Sequence, residues 1–131
     1  MTLLLDTHVF LWLQADPARV GDHLALVEDP RTRLAVSAAS AWEIAIKHAL
    51  GRLSLPEPPE RYVPSRMRAI GAEPVAITHG HALAVAALPP LHRDPFDRVL
   101  VAQALALDAT ILTADATVAR YPARTLLIAG G

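Results

Sequence analysis

The chain has 131 residues, 53% of them apolar, with a mean hydropathy of +0.31 and a net charge of -1 from 12 basic and 13 acidic residues. That size suits one domain able to bury a core, and the near-neutral balance excludes a global positive field for nucleic acid, leaving any phosphate contact to a local patch. The absence of cysteine excludes disulfides, thiolate nucleophiles and cysteine-ligated metal centres and suits a reducing cytoplasm, while the high apolar content leads us to expect a partner over part of the surface.

The first element, "TLLL", is a short apolar strand with Asp6 at its carboxyl end. Asp6 and His8 interrupt the apolar run and no basic flank precedes it, so it is not read as a signal peptide, and no stretch reaches the ~18–20 apolar residues of a membrane span. "VFLWL" and "VGDHLALVED" follow as short helices separated by Pro17. "RLAVSA" is a second strand, and "SAWEIAIKHALGRL" a strong helix ending near Gly51. "LPEPPERYVP", with four prolines, reads as a loop or capped turn. Next come a third strand, "EPVAIT", and a helix, "HALAVAAL", stopped by Pro89 and Pro90. The helix "DPFDRVLVAQALAL" and the strands "ATILTAD" and "TLLIA" complete the chain. Apolar strands alternating with helices predict an α/β fold with a central, mostly parallel sheet covered on both faces. Ligands of such sheets bind beyond the carboxyl ends of the strands, where Asp6 and Asp115 both fall.

A carboxylate inside an apolar stretch is costly unless it has a partner, a metal or a catalytic duty. Each acid also has a structural reading. Ser40 and Glu43 have capping-box spacing, but a helix capped earlier by Ser37 would free Glu43 to project elsewhere. Asp94 reads as an N-cap with Pro95 at the first helical position, and Asp97 falls in the first turn, where negative charge suits the helix dipole. Asp115 has the look of a cap as well. His8 is expected to hydrogen-bond beside Asp6. His79 and His81 lack the spacing of a zinc site, and Trp12 and Trp42 suit core or partner contacts. Four acids at convergent positions point beyond capping: oxygen-only ligands favour Mg²⁺ or Mn²⁺, which activate water and stabilise charge on a phosphodiester.

Together "LLLDTHVFLW", "SAASAWEIAIKHALGRL", "LPPLHRDPFDRVLVAQA" and "ILTAD" closely resemble the PIN-domain family, and more narrowly the VapC toxins of bacterial type II toxin–antitoxin systems. The resemblance runs over almost the whole chain in the right order. It implies a three-layer, Rossmann-like PIN fold in a single domain over residues 1–131, Mg²⁺ or Mn²⁺ dependence, and endoribonuclease activity on RNA in the cytoplasm. It also implies a cognate antitoxin and a homodimer. The family's acids fall on Asp6, Glu43 and Asp97, with the more variable fourth on Asp115, a place Thr113 could also fill. Asp6 and Asp97 are then expected to hold the ion and Glu43 to orient or deprotonate water. Lys47, Arg52, Arg93 and Arg98 are candidates for a phosphate-binding patch. An aspartyl-phosphate phosphatase would want an acid where His8 stands, and a phosphoacceptor domain a lysine late in the fold, whereas Lys47 is the sole lysine. A catalytically silent interaction module is the non-enzyme alternative.

Overall fold

The computed structural model describes residues 1–129. Five strands, β1 (Thr2–Leu5), β2 (Arg33–Ser37), β3 (Glu73–Val75), β4 (Thr110–Thr113) and β5 (Thr125–Leu127), form one wholly parallel sheet in the order β3-β2-β1-β4-β5. The helices are α1 (Thr7–Ala15), α2 (Leu24–Glu28), α3 (Ala38–Ala49), α4 (Pro59–Ile70), α5 (His79–Ala84) and α6 (Pro95–Leu107). The expected α/β architecture is therefore observed, with all five strands where the apolar runs placed them.

β1 is the central strand, and Leu3, Leu4 and Leu5 are wholly buried. Their side chains alternate between the two faces of the sheet, as strand geometry requires. Leu3 and Leu5 pack in one core with Val9, Phe10, Ile44 and Tyr62, whereas Leu4 packs in the other with Leu100, Val101 and Ala104. Apolar residues on both faces of β1 are stabilised because α1, α3 and α4 cover one side and α6 the other.

The proline-rich segment departs from expectation. Instead of a loop or capped turn throughout "LPEPPERYVP", α4 begins at Pro59 and carries Pro64 inside it. Pro58 and Pro59 suit a helix start, where the missing N–H has no intrahelical partner to lose. Pro64 does forgo a helical hydrogen bond, but burial of Tyr62, Val63 and Met67 holds the helix together. Gly71 ends it in the left-handed conformation at φ 71°. The stretch expected as one helix after Pro17 is likewise divided. A 3₁₀ segment, Pro17–His23, is kinked at Gly21 before α2 starts. Among the described residues, no helix is long and apolar enough to cross a membrane.

Candidate functional site

Strand order decides where the acids meet. β2 and β4 lie on opposite sides of β1, so the connections leaving β1 and β4 diverge to form a crevice at the carboxyl edge, the usual ligand position in such sheets. Register pairs Leu5 with Leu112, which brings the next residues, Asp6 and Thr113, side by side. Asp6 is the N-cap of α1 by backbone conformation, yet its side chain makes no capping hydrogen bond. Instead Asp6 Oδ2 accepts a 2.6 Å hydrogen bond from the Thr113 hydroxyl, and Thr113 Oγ1 accepts from the Asp115 backbone N–H at 3.0 Å. Thr113 thus supports two acids from behind.

The helices bring the other acids to the same cleft. Ser37 caps α3, with its hydroxyl accepting from Ala39 N–H at 3.0 Å, so Glu43 is released from the capping-box alternative. Glu43 is 4% exposed, and Lys47 Nζ donates to its Oε2 at 2.6 Å from one turn further along the helix. Asp94 caps α6, accepting from Phe96 N–H at 2.8 Å and Asp97 N–H at 3.4 Å. Asp97 then lies in the first turn and is 8% exposed. Asp6, Glu43, Asp97 and Asp115, together with Asp94, His8, Trp12, Lys47 and His92, line one cleft of about 380 Å³. All four expected acids are brought together there.

Their electrostatics follow from crowding. Burial is the largest influence on Asp97, reinforced by the Asp6 and Asp94 charges and only partly opposed by His92; its pKa rises from 3.8 to about 7. Burial also raises Asp6, although the Thr113 hydroxyl and His8 oppose it. Burial would raise Asp115 too, but the His92 hydrogen bond and the Thr117 N–H outweigh it and lower the pKa. The cleft thus stores carboxylate repulsion that a cation would relieve.

Reading the sequence did not single out His92, a loop residue whose spacing carries no helical or strand signal. Its Nε2 lies 3.1 Å from Asp97 Oδ2 and 3.0 Å from Asp115 Oδ2. Burial disfavours its charged form, but Asp115, Asp97 and Asp94 together raise its pKa above the ordinary value. One ligand atom from each of His92, Asp97 and Asp115 can be chosen so that all three lie within 4.8 Å of one another.

Two expectations need correction. Arg98 does not join a free phosphate patch: its guanidinium donates to Pro89 O, Val85 O and Tyr121 Oη at 3.0–3.2 Å, fastening the segment that carries His92. Lys47 is engaged with Glu43. His8, expected as a hydrogen-bonding residue beside Asp6, makes no side-chain hydrogen bond among the described residues: it is exposed, and its influence on Asp6 is through charge. Of the tryptophans, Trp12 borders the cleft with the Arg19 guanidinium 4.0 Å from its ring centroid, and Trp42 is 59% exposed with its ring edge-on to Phe96. His81 joins Thr78 in a capping box.

The pattern of the PIN domain matches residues 3–123. The chain belongs to the PIN domain family. This PIN-family chain is 31% identical over 115 residues to Ribonuclease VapC22 of Mycobacterium tuberculosis, covering 87% of each chain. It is 50% identical over 62 residues to Ribonuclease VapC16 of the same organism, an alignment covering 47% of this chain and 44% of that one. The chain therefore matches less than half the length of VapC16. Its fold is similar to that in the crystal structure of VapBC2 from Rickettsia felis bound to a DNA fragment from their promoter. There the TM-score is 0.70 at 15% identity, with 97% of this chain and 98% of that chain covered. The three-layer PIN fold implied by the sequence motifs is thus the one observed.

Proposed function

We propose that this chain is a VapC-type toxin: a divalent-cation-dependent endoribonuclease that hydrolyses RNA phosphodiester bonds and is neutralised by a cognate antitoxin. The observation that carries this reading is the convergence of Asp6, Glu43, Asp97 and Asp115 on one cleft, with Asp97 raised to about 7 by burial and neighbouring charge. The likeness to the ribonucleases VapC16 and VapC22 supports it. We further propose that residues 1–131 act as a single domain in the cytoplasm, as a homodimer when free of other partners.

The donor set fits Mg²⁺ or Mn²⁺: hard carboxylate oxygens around a site whose repulsion is only partly offset by Lys47 and His92. Asp6 and Asp97 would hold the ion, and Asp115 would complete its surroundings. A bound divalent cation supplies neutralisation of the scissile phosphate and a lower pKa for attacking water. The protein's own contribution is placement and proton transfer. Lys47 fixes Glu43 Oε2, leaving Oε1 as the proton acceptor as water attacks phosphorus in line. Thr113 fixes Asp6 against β4, so the site is formed before substrate arrives. Arg52 and Arg93 are the basic residues left to meet RNA phosphates outside the acid cluster.

The test is cleavage of a mixed RNA pool by purified protein in Mg²⁺, with Asp6→Asn, Asp97→Asn and EDTA as controls. We expect cleavage by wild type alone, with unchanged circular dichroism for both variants. Cleavage that persists in EDTA or in Asp97→Asn would remove the metal mechanism. A wild type that binds antitoxin yet leaves every RNA intact would favour the interaction module instead.

A further inference from the structure

Proximity alone makes His92 a candidate third metal ligand beside Asp97 and Asp115. Its other ring nitrogen argues against that role. The Asp94 backbone N–H points at His92 Nδ1 from 3.2 Å, so in the neutral ring Nδ1 is the acceptor and Nε2 carries the hydrogen. In the charged ring Nε2 carries a hydrogen as well. In both states Nε2 faces the carboxylates as a donor and has no lone pair to give a cation. Nε2 donates to Asp115 Oδ2 at 3.0 Å, and lies 3.1 Å from Asp97 Oδ2 as a charge contact outside hydrogen-bond alignment.

We infer that His92 is a positioning residue whose Nε2–H, donated to Asp115 and 3.1 Å from Asp97 Oδ2, sets the Asp97 carboxylate for the divalent cation without ligating it. The inference rests on the metal-dependent reading above and extends it to a loop residue. The loop is anchored for the task. His92 N–H donates to Tyr121 Oη at 2.8 Å, and the Arg98 guanidinium ties the same hydroxyl to Pro89 O and Val85 O. The imidazole also sorts the oxygens. Asp115 has both occupied, Oδ2 by His92 and Oδ1 by the Thr117 N–H at 2.8 Å. Neither Asp97 side-chain oxygen has a hydrogen-bond partner among the described residues, and His92 lies against Oδ2 by charge alone, which leaves Oδ1 open to a ligand. Asp97 is therefore the acid presented for direct ligation, and Asp115 acts through the imidazole.

Two substitutions separate the roles of the ring nitrogens. His92→Gln retains an N–H donor at the reach of Nε2, whereas His92→Asn retains an acceptor for the Asp94 N–H at the reach of Nδ1 but loses the donor to Asp115. Mg²⁺ and Mn²⁺ binding to the full chain would be measured by titration calorimetry, with folding checked by circular dichroism. The His92 tautomer would be read from long-range ¹H–¹⁵N spectra of the wild type. The Nε2–H form should persist on adding Mg²⁺. His92→Asn should weaken both metals about tenfold or more, the scale of losing a group that orients a ligand. His92→Gln should recover most of that loss, and the Mn²⁺ to Mg²⁺ preference should stay level throughout. An Nδ1–H ring with metal, or a Mn²⁺ loss much larger than the Mg²⁺ loss, would make His92 a ligand and overturn the inference. Equal weakening by both substitutions, or none by His92→Asn, would overturn it too while leaving the nuclease reading intact. A wild type that binds neither metal would remove both.

Discussion

Replacing Asp97 by asparagine keeps the shape of the first turn of α6 and removes a charge that its surroundings resist. Burial and the Asp6 and Asp94 carboxylates move Asp97 from 3.8 to about 7. At ~1.36 kcal/mol per tenfold change in proton affinity, ionising it costs the metal-free folded state up to about 4 kcal/mol. The sign follows from proton binding. Between these two pKa values the folded chain holds a proton that the unfolded chain has released, so stability falls as pH rises through this window. Below about 3.8 the group is protonated in both states and the penalty vanishes; above about 7 it is fully present. Asparagine should relieve this cost, which already nets the opposing charge of His92. The informative quantity is how the difference changes with pH. Relative to wild type, Asp97→Asn should gain about 3 kcal/mol between about pH 4.5 and pH 7.5, from the same linkage. Urea unfolding of both proteins in EDTA at the two pH values measures this directly. Excess Mg²⁺ should then raise the wild-type melting temperature and leave the variant nearly unmoved, because only a native-state ligand stabilises. Parallel wild-type and variant stabilities across this pH range would refute the crowding argument.

Three further outcomes are expected. Thr113→Val removes the hydroxyl that donates to Asp6 and accepts from Asp115 N–H, and should cost about 1–3 kcal/mol in urea unfolding; because Asp6 rises further without its donor, the loss should be larger near neutral pH than near pH 4. Lys47→Met strands the buried Glu43 carboxylate and should cost about 1–3 kcal/mol, less than for a fully buried pair because Lys47 is partly solvated, and adding Glu43→Gln in a double-mutant cycle should return most of it. Arg98→Met frees the carbonyls of Val85 and Pro89 and should speed amide exchange in residues 88–94 while sparing β1; unchanged exchange there would contradict the anchoring role.

Much of this protein is determined locally. Three leucines before Asp6, the Ser37 cap and the Asp94–Pro95 start each act within a few residues, and each behaves as its local chemistry dictates. The acids were legible for the same reason: a carboxylate in an apolar strand or at a buried helix start conflicts with its neighbours. Helix α4 was not legible, because its prolines signal a break and only burial of Tyr62, Val63 and Met67 overrides them. The site's inner order was not legible either. The pairing of Asp6 with Thr113 joins residues 107 positions apart through the β1–β4 register, and the bridge from His92 to Asp115 spans 23 positions. Hydrogen bonds of that kind leave no periodicity in a sequence, since their partners are set by strand order and loop anchoring. Local sequence therefore determined which groups carry the charge, and tertiary structure decided which of their oxygens are held and which are open.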